Sequence, residues 1–135
     1  MISVQTKINT SIEKVWELWT LTEHIVKWNT PGEDWQTSHA ENDLRIDGKF
    51  KFTMMSKDQS SGFDFEGIYT KVQKNQLIEY KLEDNRTASI HFEENGNAVI
   101  LTEAFEPQKQ DSESMQKEWC QAVIDNFKRY AESLG

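Results

Sequence analysis

The chain has little of what builds a covalent or metal-held framework. Its 135 residues include a single cysteine, Cys120, so an internal disulfide is excluded. The three histidines, at positions 24, 39 and 91, form no close pair and give zinc no ligand set. There is no Gly-x-Ser-x-Gly motif, and the six glycines form no phosphate-binding loop. We therefore predict no metal, no cofactor and no residues in a catalytic role.

Positive charge and long apolar runs are also scarce. The chain has 15 basic and 23 acidic residues. Its net charge of −8 repels nucleic acid and anionic membranes, so neither is a predicted partner. No apolar run approaches the roughly 20 residues of a membrane span. Residues 1–20 lack the basic-then-apolar pattern of a signal peptide. The expectation is a soluble cytoplasmic protein.

Aromatic residues, in contrast, are plentiful. Five Trp, seven Phe and three Tyr exceed what a disordered chain carries, which indicates a packed core. A chain of 135 residues has the size of one domain, and no linker or repeat divides it. We predict a single domain over residues 1–135.

The first third of the chain reads as a strand followed by two short helices. Apolar and polar residues alternate from Ile2 to Ile8, as in a strand with one buried face. Thr10 precedes Glu13 by three residues, which is the spacing of a capping box and predicts a helix start. Thr22 is the predicted cap of a second helix, which ends near Trp28.

From residue 34 onward the pattern changes to the period of two that is typical of strands. Short turns separate the segments, so neighbouring strands are expected to pair antiparallel as a meander. The predicted strands are 34–41, 49–55, 63–72, 77–82, a segment around 88–92, and 98–105.

One segment leaves two alternatives. Simple alternation puts Phe63 and Phe65 on the face opposite Ile68. A bulge at Gly67 would bring all three to one face and turn Asp64 and Glu66 toward water. We favour the bulge because glycine tolerates it. Without the bulge, those acidic residues would face the interior, which is costly for unpaired charges.

The most informative segment is the last helix, predicted from Asp111 to Leu134. Its apolar residues recur every three or four positions and need a large apolar surface to lie against. The predicted sheet supplies that surface, and a bent sheet around one helix leaves a gap. The stripe consists of Met115, Trp119, Cys120, Val123, Ile124, Phe127, Tyr130, Ala131 and Leu134.

This order of elements resembles the helix-grip proteins of the START-like (SRPBCC) superfamily, within it the family related to the activator of heat-shock protein 90 ATPase. The resemblance implies an α+β fold, in which one curved antiparallel sheet of about seven strands (β-α-α-β6-α) wraps around a long C-terminal helix. Family members include small-ligand binders and stress or co-chaperone proteins. The matching segments are Ile12-Glu13-Lys14-Val15-Trp16, Ile25-Val26-Lys27-Trp28, Asp47-Gly48-Lys49-Phe50, Phe65-Glu66-Gly67-Ile68-Tyr69, Leu77-Ile78-Glu79-Tyr80, and Trp119 with the helix Gln121 to Glu132.

The gap beneath the helix is the predicted ligand site. An aromatic and methionine lining suits a flat, mostly apolar molecule, although the same residues also serve as core. The predicted lining is Trp28, Trp35, Phe50, Phe52, Met54, Phe63, Phe65, Tyr80, Ile90, Phe92, Trp119 and Val123.

Asp64, Glu66 and His91 are the candidate polar groups of this pocket. With Tyr80 they are the candidates for acid–base chemistry, because a buried carboxyl has a raised pKa. The plainer interpretation, which we favour, places Asp64 and Glu66 in water and His91 outside, near Glu93 or Glu103.

Three functions follow from these expectations. The first is a monomeric or homodimeric module that binds an apolar small molecule. The second is an interaction protein whose acidic surface docks a chaperone, an analogy that rests on the family. The third is a cyclase- or hydratase-like enzyme acting on a polyketide-like substrate.

Overall fold

A computed structural model of the protein describes residues 1–134. It has the predicted order of one strand, two short helices, six strands and a long helix, and so confirms the α+β class. No helix within this range combines the length and apolar character needed to cross a membrane. The elements are β1 (Ile2–Ile8), α1 (Ile12–Thr20), α2 (Thr22–Trp28), β2 (Trp35–Asn42), β3 (Lys49–Ser56), β4 (Gly62–Gln73), β5 (Leu77–Leu82), β6 (Thr87–Asn95), β7 (Ala98–Phe105) and α3 (Glu113–Leu134).

The seven strands form one antiparallel sheet in the order β1-β7-β6-β5-β4-β3-β2. Strands β2 to β7 pair with their neighbours in sequence, as a meander does, while β1 pairs with β7. The first strand therefore lies beside the last, and β1 and β2 form the two edges. The sheet curves around α3, which is the predicted helix-grip arrangement.

Both predicted helix caps are wrong. The cap of α1 is Ser11, whose hydroxyl accepts a hydrogen bond from the Lys14 amide at 3.2 Å. Thr10 lies one residue too early, in the turn that leaves β1. Leu21 is both the C-cap of α1 and the N-cap of α2, and a leucine side chain cannot accept a hydrogen bond. Helix α2 therefore has no side-chain cap, and Thr22 is already its first helical residue.

The predicted bulge at Gly67 is also wrong. Strands β3 and β4 pair without interruption through this residue, and the register shift lies between Tyr69 and Lys71, opposite β5. A Cβ atom at Gly67 would lie 2.7 Å from the Lys81 carbonyl oxygen and 2.9 Å from the Phe50 ring. Glycine is therefore required here by close packing on both sides.

Because alternation continues, the inner face of β4 carries Phe63, Phe65 and Tyr69, and the carboxylates face outward. The apolar residue on the outer face is Ile68, which is 42% exposed. Neither of the two sequence alternatives anticipated that an isoleucine would be the residue turned to water.

Only the second half of helix α3 has fully buried residues. Its fully buried residues are Ile124, Phe127 and Ala131, and Phe127 packs edge-on against Trp28 at 4.8 Å between ring centroids. The predicted stripe overstates the first half, where Met115 is 67% exposed. The first half of α3 thus stands away from the sheet, and the space beneath it is the candidate site.

Candidate functional site

A cavity of about 730 Å³ lies between the inner face of the sheet and the first half of α3. This volume falls within the roughly 300–1,000 Å³ of small-molecule sites. Strand β4 and helix α3 each supply four of its lining residues, and most of the others come from β5, β6, β7 and the segments that follow β5 and β7. The apolar and aromatic lining consists of Trp35, Phe63, Phe65, Tyr80, Leu82, Ala88, Phe105, Met115, Trp119 and Cys120.

A smaller cavity of about 60 Å³ lies deeper, toward α1 and α2. It shares Phe65, Tyr80 and Glu103 with the large cavity, so these three residues stand between the two spaces. Among the predicted lining residues, Met54 and Phe92 border neither cavity. Those that border the small one alone are Trp28, Phe50, Phe52, Ile90 and Val123.

Three aromatic side chains from three elements close one end of the large cavity. Trp35 at the start of β2 lies 5.9 Å from Phe63 of β4 and 5.2 Å from Trp119 of α3, measured between ring centroids. Phe63 and Trp119 are 6.2 Å apart. We call Trp35, Phe63 and Trp119 the aromatic end; its members are spaced as favourable aromatic pairs.

The most unusual wall residue is Glu103, in the middle of β7. It occupies an inward position between Leu101 and Phe105 and is paired with Val4 on β1 and Ile90 on β6. The residue keeps some accessible surface because it faces the cavities, yet surrounding protein desolvates its carboxyl. Burial raises the pKa of Glu103 to about 7. Among residues 1–134, none forms a hydrogen bond with its side chain.

The charge of Glu103 acts on two further side chains of the cavity wall. Burial raises the pKa of Tyr80, and the charge of Glu103 raises it further. The same two causes, in the same order, raise the pKa of Cys120, so this side chain is an un-ionised thiol. The Tyr80 hydroxyl, like Glu103, makes no hydrogen bond to any residue that the structure describes. Glu103, Tyr80 and Cys120 form a polar cluster on an apolar wall.

The polar groups predicted from the sequence point elsewhere. Asp64 accepts a hydrogen bond from Thr53 on the outer face at 2.8 Å and lies 3.7 Å from Lys51 Nζ. Glu66 reaches only the rim and hydrogen-bonds Glu83, which raises its pKa.

His91 is exposed on the outer face of β6, opposite Thr102. The expected neighbour Glu103 is not beside it, because Glu103 faces inward. Sequence reasoning missed this residue, although the alternation of Val99, Leu101 and Phe105 on β7 is the signal that places it inside.

The other end of the cavity holds its single positive charge. Arg86 forms an ion pair with Asp84, 2.6 Å between Nε and Oδ2, and donates to the Glu106 carbonyl at 3.4 Å. With the Gln108 amide turned so that its oxygen faces the guanidinium, Arg86 Nη2 also donates there at 3.1 Å. Arg86 is therefore already neutralised and hydrogen-bonded.

Acidic residues dominate the polar part of the lining. Seven of them border the large cavity, against one arginine, although the Asp64 carboxylate points to the outer face and Glu66 stands at the rim. No group of three or more side chains suited to hold a metal ion is found within residues 1–134. The seven are Asp64, Glu66, Glu83, Asp84, Glu103, Glu106 and Asp111.

Comparisons with known proteins cover nearly the whole chain. The model of the family "Activator of Hsp90 ATPase homolog 1-like protein" matches residues 9–132. A solution structure of a protein from Cytophaga hutchinsonii is 38% identical over 98% of this chain and 92% of its own, with a TM-score of 0.85. The AHSA1-like protein from Aeromonas hydrophila is 31% identical over 99% and 94%, with a TM-score of 0.90. No curated protein matches.

Proposed function

This chain belongs to the Activator of Hsp90 ATPase homolog 1-like family, and we propose that it binds an apolar or aromatic small molecule beneath α3. The observation that carries this proposal is the cavity of about 730 Å³, which six aromatic side chains line and leave unfilled. Protein interiors normally pack without such voids. A space of this size, kept under one half of a helix, supports a role in binding.

The lining also fits the chemistry of such a ligand. Transfer of apolar surface from water contributes about 25 cal/mol per Å². The rings of Trp35 and Trp119 meet nearly at right angles, 79° between planes, so a flat molecule can contact the face of one and the edge of the other.

A matched pair of variants tests the binding site. Ala88 lines the cavity, whereas Ala104 lies on the outer face of β7. Ala88→Phe should fill the cavity, and Ala104→Phe adds the same volume outside. Nile red, a neutral dye that fluoresces in apolar sites, should bind the wild type and Ala104→Phe, and bind Ala88→Phe about tenfold more weakly.

Equal dye binding by all three proteins would place the dye elsewhere and reject the cavity as the site. Native mass spectrometry of the protein purified from its own host gives an independent test. A retained small molecule in the wild type that is absent from Ala88→Phe would support the proposal.

A second candidate function is acid–base catalysis, favoured by one observation. The pKa of Glu103, about 7, lets this carboxyl gain and lose a proton near neutral pH inside an apolar cavity. A polyketide-like β-dicarbonyl compound would then exchange its acidic C–H hydrogen for deuterium faster with the protein present. NMR measures that exchange, and Glu103→Gln should abolish the acceleration. No acceleration by the wild type rejects this candidate.

Docking of a chaperone on the acidic surface stays a prediction that rests on family analogy. The cytoplasmic location and the monomeric or homodimeric state also stay predictions. Copurification tests chaperone docking, cell fractionation tests the location, and size-exclusion chromatography with light scattering tests the oligomeric state.

A further inference from the structure

We propose that the ligand is an amphipathic amine, whose ammonium group binds Glu103 and the Tyr80 hydroxyl while its apolar body lies against the aromatic end. This inference rests on the proposed binding function and names the chemical class of its ligand. It has three supports: an unpartnered carboxyl, the absence of a positive charge on the groups that face it, and the acidic character of the whole lining.

The first support is the position of Glu103. Its carboxyl lies at the boundary of both cavities and has no hydrogen-bond partner among the residues described. Desolvating an ionised carboxyl without a partner is unfavourable, and Glu103 faces the cavities, where a ligand can reach its carboxyl. Tyr80 borders the same two cavities, and its hydroxyl, which has no hydrogen-bond partner among the residues described, can also accept a hydrogen bond from a ligand. A ligand that donates two or three hydrogen bonds at this point would satisfy both.

The second support is what faces Glu103 from each neighbouring element. Strand β1 presents Val4, β6 presents Ile90, β5 presents Tyr80, and α3 presents Cys120. None of these groups is positively charged within the described part of the chain. These neighbours supply no counter-charge to an ionised Glu103, whereas a bound cation would supply one.

The third support is the charge of the whole lining. Acidic residues outnumber the one arginine of the lining and the net charge of the chain is −8, so the cavity attracts a cation and repels an anion. The single cation, Arg86, is occupied by Asp84 and by the Glu106 carbonyl. A fatty acid or another hydrophobic anion would therefore enter without a free positive partner. A cation also gains from the faces of Phe65 and Tyr80 through cation–π attraction.

Because Glu103 titrates near neutral pH, the affinity for an amine should depend on pH. An ammonium group prefers the carboxylate, and the pKa of Glu103 without ligand is about 7. An alkylamine keeps its charge to about pH 10. The affinity for an amine should therefore rise by up to about tenfold per pH unit below the pKa of Glu103. Above about pH 7 it should level off.

Three ligands of one shape test the inference: 2-(1-naphthyl)ethylamine, 2-(1-naphthyl)ethanol and 1-naphthylacetic acid. Isothermal titration calorimetry at about pH 8 should rank the amine about tenfold above the alcohol and the acid last. In Glu103→Gln the amine should fall to the affinity of the alcohol, and the alcohol should change less than about twofold. Glu93→Gln removes one carboxylate from the outer face of β6, away from both cavities, and should leave the preference intact.

The outcomes separate this inference from the proposed function. If the alcohol binds the wild type as tightly as the amine does, or if Glu103→Gln keeps the preference for the amine, the inference is wrong and the cavity remains a binding site. If none of the three displaces Nile red, and Nile red itself does not bind, the proposed function fails as well. The pH profile of the wild type alone tests the inference should Glu103→Gln fail to fold.

Discussion

The indole rings of Trp35 and Trp119 meet edge to face, 5.2 Å between centroids, and join the first residue of β2 to the raised half of α3. This contact connects the helix to the sheet edge on the far side of the cavity. Beneath it the helix has no fully buried residue until Ile124. The helix is therefore packed at one end and bridged by aromatic rings at the other.

Trp119→Ala should destabilise the protein less than Phe127→Ala does. Trp119 is half-buried and borders an existing cavity, so its removal costs mainly its ring contacts, about 1–3 kcal/mol. Phe127 is fully buried, and its truncation leaves a new void at about 3–5 kcal/mol. Urea unfolding curves of the two variants measure this order. The reverse order would contradict the finding that α3 is tightly packed only in its second half.

Stability should fall as pH rises from about 4.5 to about 7, through Glu103. Its folded pKa of about 7 lies above the ordinary value of 4.5, so the folded state holds the proton more tightly than the unfolded chain does. The stabilisation is complete below the lower pKa and is lost through the upper one. A shift of this size corresponds to roughly 3 kcal/mol.

Glu103→Gln provides the control for that prediction. The glutamine cannot ionise, so the difference in unfolding free energy between wild type and variant should grow in favour of the variant across this pH range. Carboxyls with lowered pKa, such as Asp84 and Glu106, act in the opposite direction but are common to both proteins and cancel. A difference independent of pH would show that Glu103 is not desolvated.

Gly67→Ala should destabilise the sheet by about 1–3 kcal/mol, because the added methyl group would meet the Lys81 carbonyl oxygen and the Phe50 ring. Gly32→Ala is the matched control, since no atom lies within 4 Å of the new Cβ. Its expected effect is neutral or slightly stabilising, up to about 1 kcal/mol. Thermal melting of both variants measures this difference in stability. Equal melting temperatures would contradict the close packing at Gly67.

Tyr69→Phe should cost about 1–3 kcal/mol. The buried Tyr69 hydroxyl donates a hydrogen bond to the Asn42 side chain, whose amide donates in turn to the Thr20 carbonyl at 2.7 Å. Removing the hydroxyl leaves Asn42 Oδ1 without its donor in a buried site. Tyr130→Phe, which removes a less buried hydroxyl bonded to His24, should cost less in the same urea titration.

Local pattern was enough to predict the order of elements and the inner face of most strands. Alternation on β3 and β6 and the three-to-four spacing on α3 depend only on which residues avoid water, and the structure confirms those elements. The caps at Thr10 and Thr22 failed because a cap depends on where the preceding element ends, and that position is set by neighbouring backbone. The bulge at Gly67 failed because the pattern could not show that Phe50 and Lys81 approach this glycine.

Sequence alone thus determined an aromatic sheet face and a long apolar helix opposite it, since burial of apolar surface fixes both. It did not determine how far apart they lie. The stripe on α3 is continuous from Met115 to Leu134, yet only the part from Ile124 to Ala131 is tightly packed. Tertiary structure alone decided that Glu103, one polar residue in an apolar alternation, borders an empty space. The reason is that side-chain direction follows from the local chain, whereas the distance to the opposite wall depends on how the whole sheet curves.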